Sequence, residues 1–154
     1  MPDTNPTPAV VIERTFEAPV ELIWKLWTEP EHFKAWYGPE GASIPVAKMD
    51  LCVGGQRLIS MEAQTPNGPM QMWFTGEYRA LDEHQLLVYT EAVSDENGKA
   101  MSDMTEVRVE FEALGDRTRL VLTHVGIPAE SPGAVGWNAA LIKLAAYAAA
   151  HQAA

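Results

Sequence analysis

The chain has 154 residues, is 47% hydrophobic and carries a formal net charge of -10 at pH 7, a size that suits about one domain with a core needing no staples. A pI near 4.7 with scattered Lys and Arg argues against nucleic acid and anionic membranes, which both call for clustered cations. The one cysteine, Cys52, excludes an internal disulfide, and ligands for a four-coordinate zinc are not grouped, so neither metal nor cofactor is expected. No run of about 18 apolar residues offers a membrane span, and residues 1–8 lack the basic and apolar regions of a signal peptide. A cytoplasmic location is the expectation.

Residues 1–8, polar and rich in Pro, read as a disordered tail, which leaves 9–154 for a single domain. The β-branched run 10–16 predicts a first strand that Ala18-Pro19 stops. Pro19 then suits the first residue of a helix carrying Leu22, Ile23, Leu26 and Trp27. Thr28-Glu29-Pro30 ends that helix and opens a second short one through His32, Phe33 and Trp36, broken by Gly38-Pro39-Glu40-Gly41. Strands follow near 44–50, 56–64, 70–81, 85–94, 104–114 and 117–125. The separators Gly54-Gly55, Pro66-Asn67-Gly68-Pro69, Leu81-Asp82-Glu83-His84, Asp95-Glu96-Asn97-Gly98 and Gly115-Asp116 are turn chemistry. Connections this short predict an antiparallel meander, with the first strand closing against the last.

A loop over 127–133 feeds the one long helix, 134–151, whose Trp137, Leu141, Leu144 and Ala148 recur at helical spacing. That helix has to cover the sheet. One Trp and two Leu among many Ala cannot fill the hollow of a strongly curved sheet, so a pocket between the two is expected.

Trp36-Tyr37-Gly38-Pro39-Glu40-Gly41, Asp50-Leu51-Cys52-Val53-Gly54-Gly55, Gly76-Glu77-Tyr78, and Gly136-Trp137 followed by Leu141 and Leu144 occur in this order. Together with the entry Ala18-Pro19-Val20-Glu21-Leu22-Ile23-Trp24 they resemble the Activator of Hsp90 ATPase homologue 1-like branch of the START and Bet v 1-like (SRPBCC) superfamily, over roughly residues 10–150. The resemblance implies an α+β helix-grip fold: a curved seven-stranded antiparallel sheet around a long C-terminal helix, two short helices after the first strand, and a cavity between sheet and helix. Relatives of this kind bind lipids, hormones, polyketides or proteins, so fold does not fix function. Cys52 stands where the family pattern has Arg, which puts any charge pairing of that segment in doubt. Gly54-Gly55 fits a tight turn or bulge, Gly136 would let the last helix start close to a neighbour, and Asp50 reads as a local backbone acceptor.

His124 shares strand parity with Leu120 and Leu122, which directs its imidazole inward at the end of the strand before the last helix; a structural hydrogen bond and an acid–base role both suit it. Tyr78 and Thr90 are read as inward by alternation with Phe74 and Val88, and with His124 they would orient a ligand. The expected wall is Phe74, Tyr78, Val88, Val107, Phe111, Leu122, Trp137, Leu141 and Leu144 around a volume of at least ~300 Å³, with Ala140 beside it. Met61, Met70, Met72, Met101 and Met104 either line that wall or fill the core, and Arg14 either snorkels to the rim or supplies a cation. No nucleophile elbow or phosphate loop occurs. The leading reading is a binding protein for a hydrophobic or aromatic small molecule. A chaperone-activator type of protein-interaction module and a cyclase or hydrolase using His124 are the alternatives, and a homodimer stays open.

Overall fold

A computed structural model describes residues 9–38, 41–127 and 132–152. The expected tail 1–8, Pro39-Glu40 and residues 128–131 of the loop before the last helix lie outside the described residues. In chain order the elements are β1 (Ala9–Phe16), α1 (Val20–Thr28), α2 (Pro30–Trp36), β2 (Ser43–Met49), β3 (Gln56–Thr65), β4 (Gly68–Asp82), β5 (Leu86–Ser94), β6 (Thr105–Leu114), β7 (Arg117–Val125) and α3 (Pro132–Gln152). The strands form one antiparallel sheet in the order β1-β7-β6-β5-β4-β3-β2. This is the meander expected from the turns, with β1 on the free edge of β7. It is an α+β helix-grip fold.

Local chemistry accounts for the boundaries. Pro19 is the N-cap of α1, so the helix begins one residue later than expected, and the Pro19 carbonyl accepts from the Leu22 and Ile23 amides. Pro30 opens α2, where a missing N–H costs no helical bond. The turn between β3 and β4 is tighter than the four-residue separator predicted. Only Pro66-Asn67 turn, and Gly68 and Pro69 already pair with Thr65 and Gln64. β5 pairs with β4 only from Trp73 onward, so Pro69 sits on a stretch free of that neighbour, where a missing donor breaks no ladder.

The concave face is filled unevenly. Ile23, Trp24, Leu26 and Trp27 of α1 and Phe33 and Trp36 of α2 are all buried. They pack as an aromatic plug, with Trp24 5.3 Å from Phe111, Trp27 4.7 Å from Trp36 and stacked 5.9 Å from Trp137. The Trp36 indole N–H donates to the Leu26 carbonyl at 2.9 Å, which locks the two short helices together. Leu141, Leu144 and Ala148 of α3 close against the same plug. The plug occupies the half of the grip near the end of β6 and the start of β7.

Candidate ligand cavity

The other half is hollow. A cavity of about 820 Å³ lies where β5 and β7 end and β6 and α3 begin, walled by Tyr37, Met61, Met72, Phe74, Glu91, Thr105, His124, Trp137 and Ala140 among others. Ser102, Asp103 and Val135 stand at its mouth and are exposed. Of the residues expected on the wall, Phe74, His124 and Trp137 are there, with Ala140 beside them. Tyr78, Val107, Phe111, Leu122, Leu141 and Leu144 point into the same concave face and are buried, but they pack in the core and not on the wall. The reason is the plug of α1 and α2, which takes up their half of the grip.

Val88 and Thr90 are on the opposite face of the sheet. Paired residues of neighbouring strands share a face: Val88 pairs with Arg108 and Thr90 with Glu106, both exposed, whereas Leu87 and Tyr89 pair with the buried Val109 and Val107. β5 is buried along nearly its whole length on both faces, so no polar alternation marks its phase. Thr90 has a structural task, its Oγ1 accepting from the Glu77 amide at 3.0 Å, beside the register shift between Tyr78 and Ala80.

With that phase, Glu91 turns inward and meets a cation that the strand pattern of β3 conceals. Arg57, Ile59 and Met61 pair with Gly76, Phe74 and Met72 and share the inner face. Arg57 is 2% exposed and Glu91 7%. The Arg57 Nη1 stands 3.9 Å from Glu91 Oε2, to which the Tyr37 hydroxyl donates at 2.9 Å. The guanidinium lies 3.6 Å from the centroid of Tyr89 and 5.5 Å from that of Tyr78, within cation–π range. Burial works to lower its pKa, but Tyr89, Tyr78, Glu91 and Tyr37 around it outweigh that and raise it, so Arg57 stays charged. Burial, then the Glu91 charge, pushes the Tyr37 hydroxyl well up, so it remains a donor. Arg14 is not the internal cation: it reaches the rim, where its Nη2 donates to Asn138 Oδ1 at 2.8 Å.

A second polar chain crosses the wall. The Trp137 Nε1–H can only donate, and it does so to His124 Nδ1 at 2.9 Å. The Thr105 hydroxyl donates its one proton to the Glu91 carbonyl at 2.7 Å, so at the 2.7 Å contact with His124 Nε2 it is the acceptor. The network thereby assigns His124 as the neutral Nε2–H tautomer with both ring nitrogens engaged. Burial lowers its pKa, partly opposed by the charge of Glu91.

Two further expectations change. Gly136 does not bring α3 close to a neighbour: a Cβ there would have nothing within 4 Å, because the residue borders the cavity. Of the five methionines weighed above, Met61 and Met72 are on the wall, while Met70, Met101 and Met104 are exposed. Asp50, by contrast, is the local acceptor expected: it lies on the exterior and its backbone carbonyl accepts from the Cys52 amide at 2.8 Å.

The Activator of Hsp90 ATPase homolog 1-like protein family matches residues 17–149. The chain belongs to this family. Solved structures with the same fold include a protein from Nitrosomonas europaea (22% identity, 96% of this chain and 97% of that chain covered, TM-score 0.79). Others are the AHSA1 protein from Silicibacter pomeroyi (22%, 93% and 99%, 0.75) and an AHSA1-like protein from Aeromonas hydrophila (23%, 94% and 94%, 0.73). No protein of curated function matches the sequence. Family and fold together place the chain among ligand-binding or interaction modules. Among the described residues, no helix is long and apolar enough to cross a membrane.

Proposed function

We propose that residues 9–154 act as one helix-grip domain that holds a hydrophobic or aromatic small molecule in the cavity between the sheet and α3, in the cytoplasm. The observation that carries this reading is the hollow half of the grip: about 820 Å³ walled by Phe74, Met61, Met72, Trp137 and Ala140 with a few polar groups at fixed positions. Ligand sites have this volume range and this make-up. Gly136 adds support, since this α3 position on the wall carries no side chain and a Cβ there would meet nothing within 4 Å.

Binding is favoured over acid–base catalysis by His124. A general base needs a free lone pair facing its substrate, and here Nδ1 accepts from Trp137 while Nε2 donates to Thr105. The test uses bulk. In Gly136→Leu the new side chain enters open space, so uptake of an apolar fluorescent probe should fall at least tenfold while circular dichroism stays native. Unchanged uptake would place the binding site elsewhere and favour the interaction-module reading.

A further inference from the structure

The polar chemistry of the cavity wall is one-sided. Among the described residues, five on the wall carry a side-chain donor: Tyr37, Ser102, Thr105, His124 and Trp137. All five donors already have protein acceptors. The Tyr37 hydroxyl donates to Glu91 Oε2, Ser102 to the Asp103 carbonyl at 3.3 Å, Thr105 to the Glu91 carbonyl, His124 to Thr105 and Trp137 to His124. The two carboxylates among the described wall residues, Glu91 within and Asp103 at the mouth, are acceptor-only groups with room for several bonds each. Arg57, among the described residues the one buried cation nearby, is behind Glu91 over the Tyr89 ring and is not part of the wall.

Building on the binding reading above, we propose that the cavity selects an apolar or aromatic molecule whose polar end is a hydrogen-bond donor, a hydroxyl, an amide N–H or an amine, received by the Glu91 carboxylate. A carboxylate or phosphate end is rejected. An anionic head would enter a wall whose own side-chain donors, among the described residues, are all engaged, the unpartnered Arg57 Nε and Tyr78 and Tyr89 hydroxyls being buried off the wall, and would face Glu91 and Asp103, whose like charge disfavours it. A donor head meets a charged acceptor held in place by Tyr37 and Arg57, and hydrogen bonds to charged groups are the stronger kind. Buried, unpaired polar groups are costly, so specificity of this sort is sharp.

The experiment compares four ligands with one naphthalene body by calorimetry: naphthol, its methyl ether, naphthylmethylamine and naphthoate. Naphthol and the amine should bind about tenfold or more tightly than the ether, and naphthoate should bind weakest. Glu91→Gln should remove most of the donor advantage, and Asp103→Asn should weaken the amine's advantage while naphthol keeps its own. Naphthoate binding as tightly as naphthol, or an ether equal to naphthol, overturns the proposal and leaves the cavity reading standing. Failure of all four to bind removes both. The ranking on the unmodified protein decides the matter even where Glu91→Gln does not fold.

Discussion

His124 joins fold and cavity through two hydrogen bonds, and its titration makes that visible. Burial depresses its pKa in the folded state below the ordinary imidazole value of about 6.5. The unfolded chain therefore takes up the proton first as pH falls. The stability contributed by the neutral ring is complete above about pH 6.5 and declines as pH drops toward the folded-state pKa, with a slope of at most about 1.4 kcal/mol per pH unit. A proton on Nδ1 would also turn an acceptor into a donor and set it against the Trp137 N–H. His124→Gln should cost roughly 1–3 kcal/mol at neutral pH by leaving Trp137 short of a well-placed acceptor, and should flatten this part of the pH profile in urea titrations. A variant with the original slope would show that the proton goes elsewhere. The inward parity of His124 was legible from Leu120 and Leu122. Its partners were not, because Thr105 opens β6 and Trp137 lies on α3, and only tertiary packing brings them together.

At the scale of elements, turn chemistry made the meander readable, since each short connection leaves two strands no choice but to pair as antiparallel neighbours. The phase of β5 was lost for a physical reason: with polar and apolar residues buried on both faces, alternation carries no information. That error put Val88 and Thr90 inside and hid Glu91. Arg57 was hidden differently, since a lone Arg in a strand reads as surface, although its parity with Ile59 and Met61 was a usable signal. Two glycines show how an element's surroundings decide the sign of a substitution. A Cβ on Gly76 would overlap the Thr90 carbonyl of the neighbouring strand, so Gly76→Ala should destabilise by about 1–3 kcal/mol or more through forced separation of β4 and β5. Gly136→Ala meets nothing and lies within a helix, so it should stabilise by about 0.5–1 kcal/mol. Urea midpoints that move in the same direction for both would refute this account of the backbone.

For the whole molecule, the aromatic plug and the hollow are two ends of one grip, and the sequence distinguished them poorly because both are lined by apolar residues of the same sheet. Phe111 and Phe74 read alike; what separates them is that Trp24 fills the space before one and no described residue fills the space before the other. A cavity kept open at a helix position occupied by Gly implies stability forgone for binding, a common exchange at functional sites. Thermal denaturation can test it. A ligand that binds only the folded chain stabilises it by about 2.7 kcal/mol at a hundredfold excess over Kd. For a domain of this size that corresponds to a rise in Tm of roughly 5–10 °C, at ~2–4 °C per kcal/mol. Naphthol at that excess should produce such a rise in the unmodified protein. Gly136→Leu should melt higher without ligand, because a helix former replaces Gly in open space, and should lose the ligand-induced rise because the cavity is filled. Should naphthol raise the Tm of Gly136→Leu as much as that of the unmodified protein, the ligand sits outside the grip, and the open space at Gly136 is not where this protein binds.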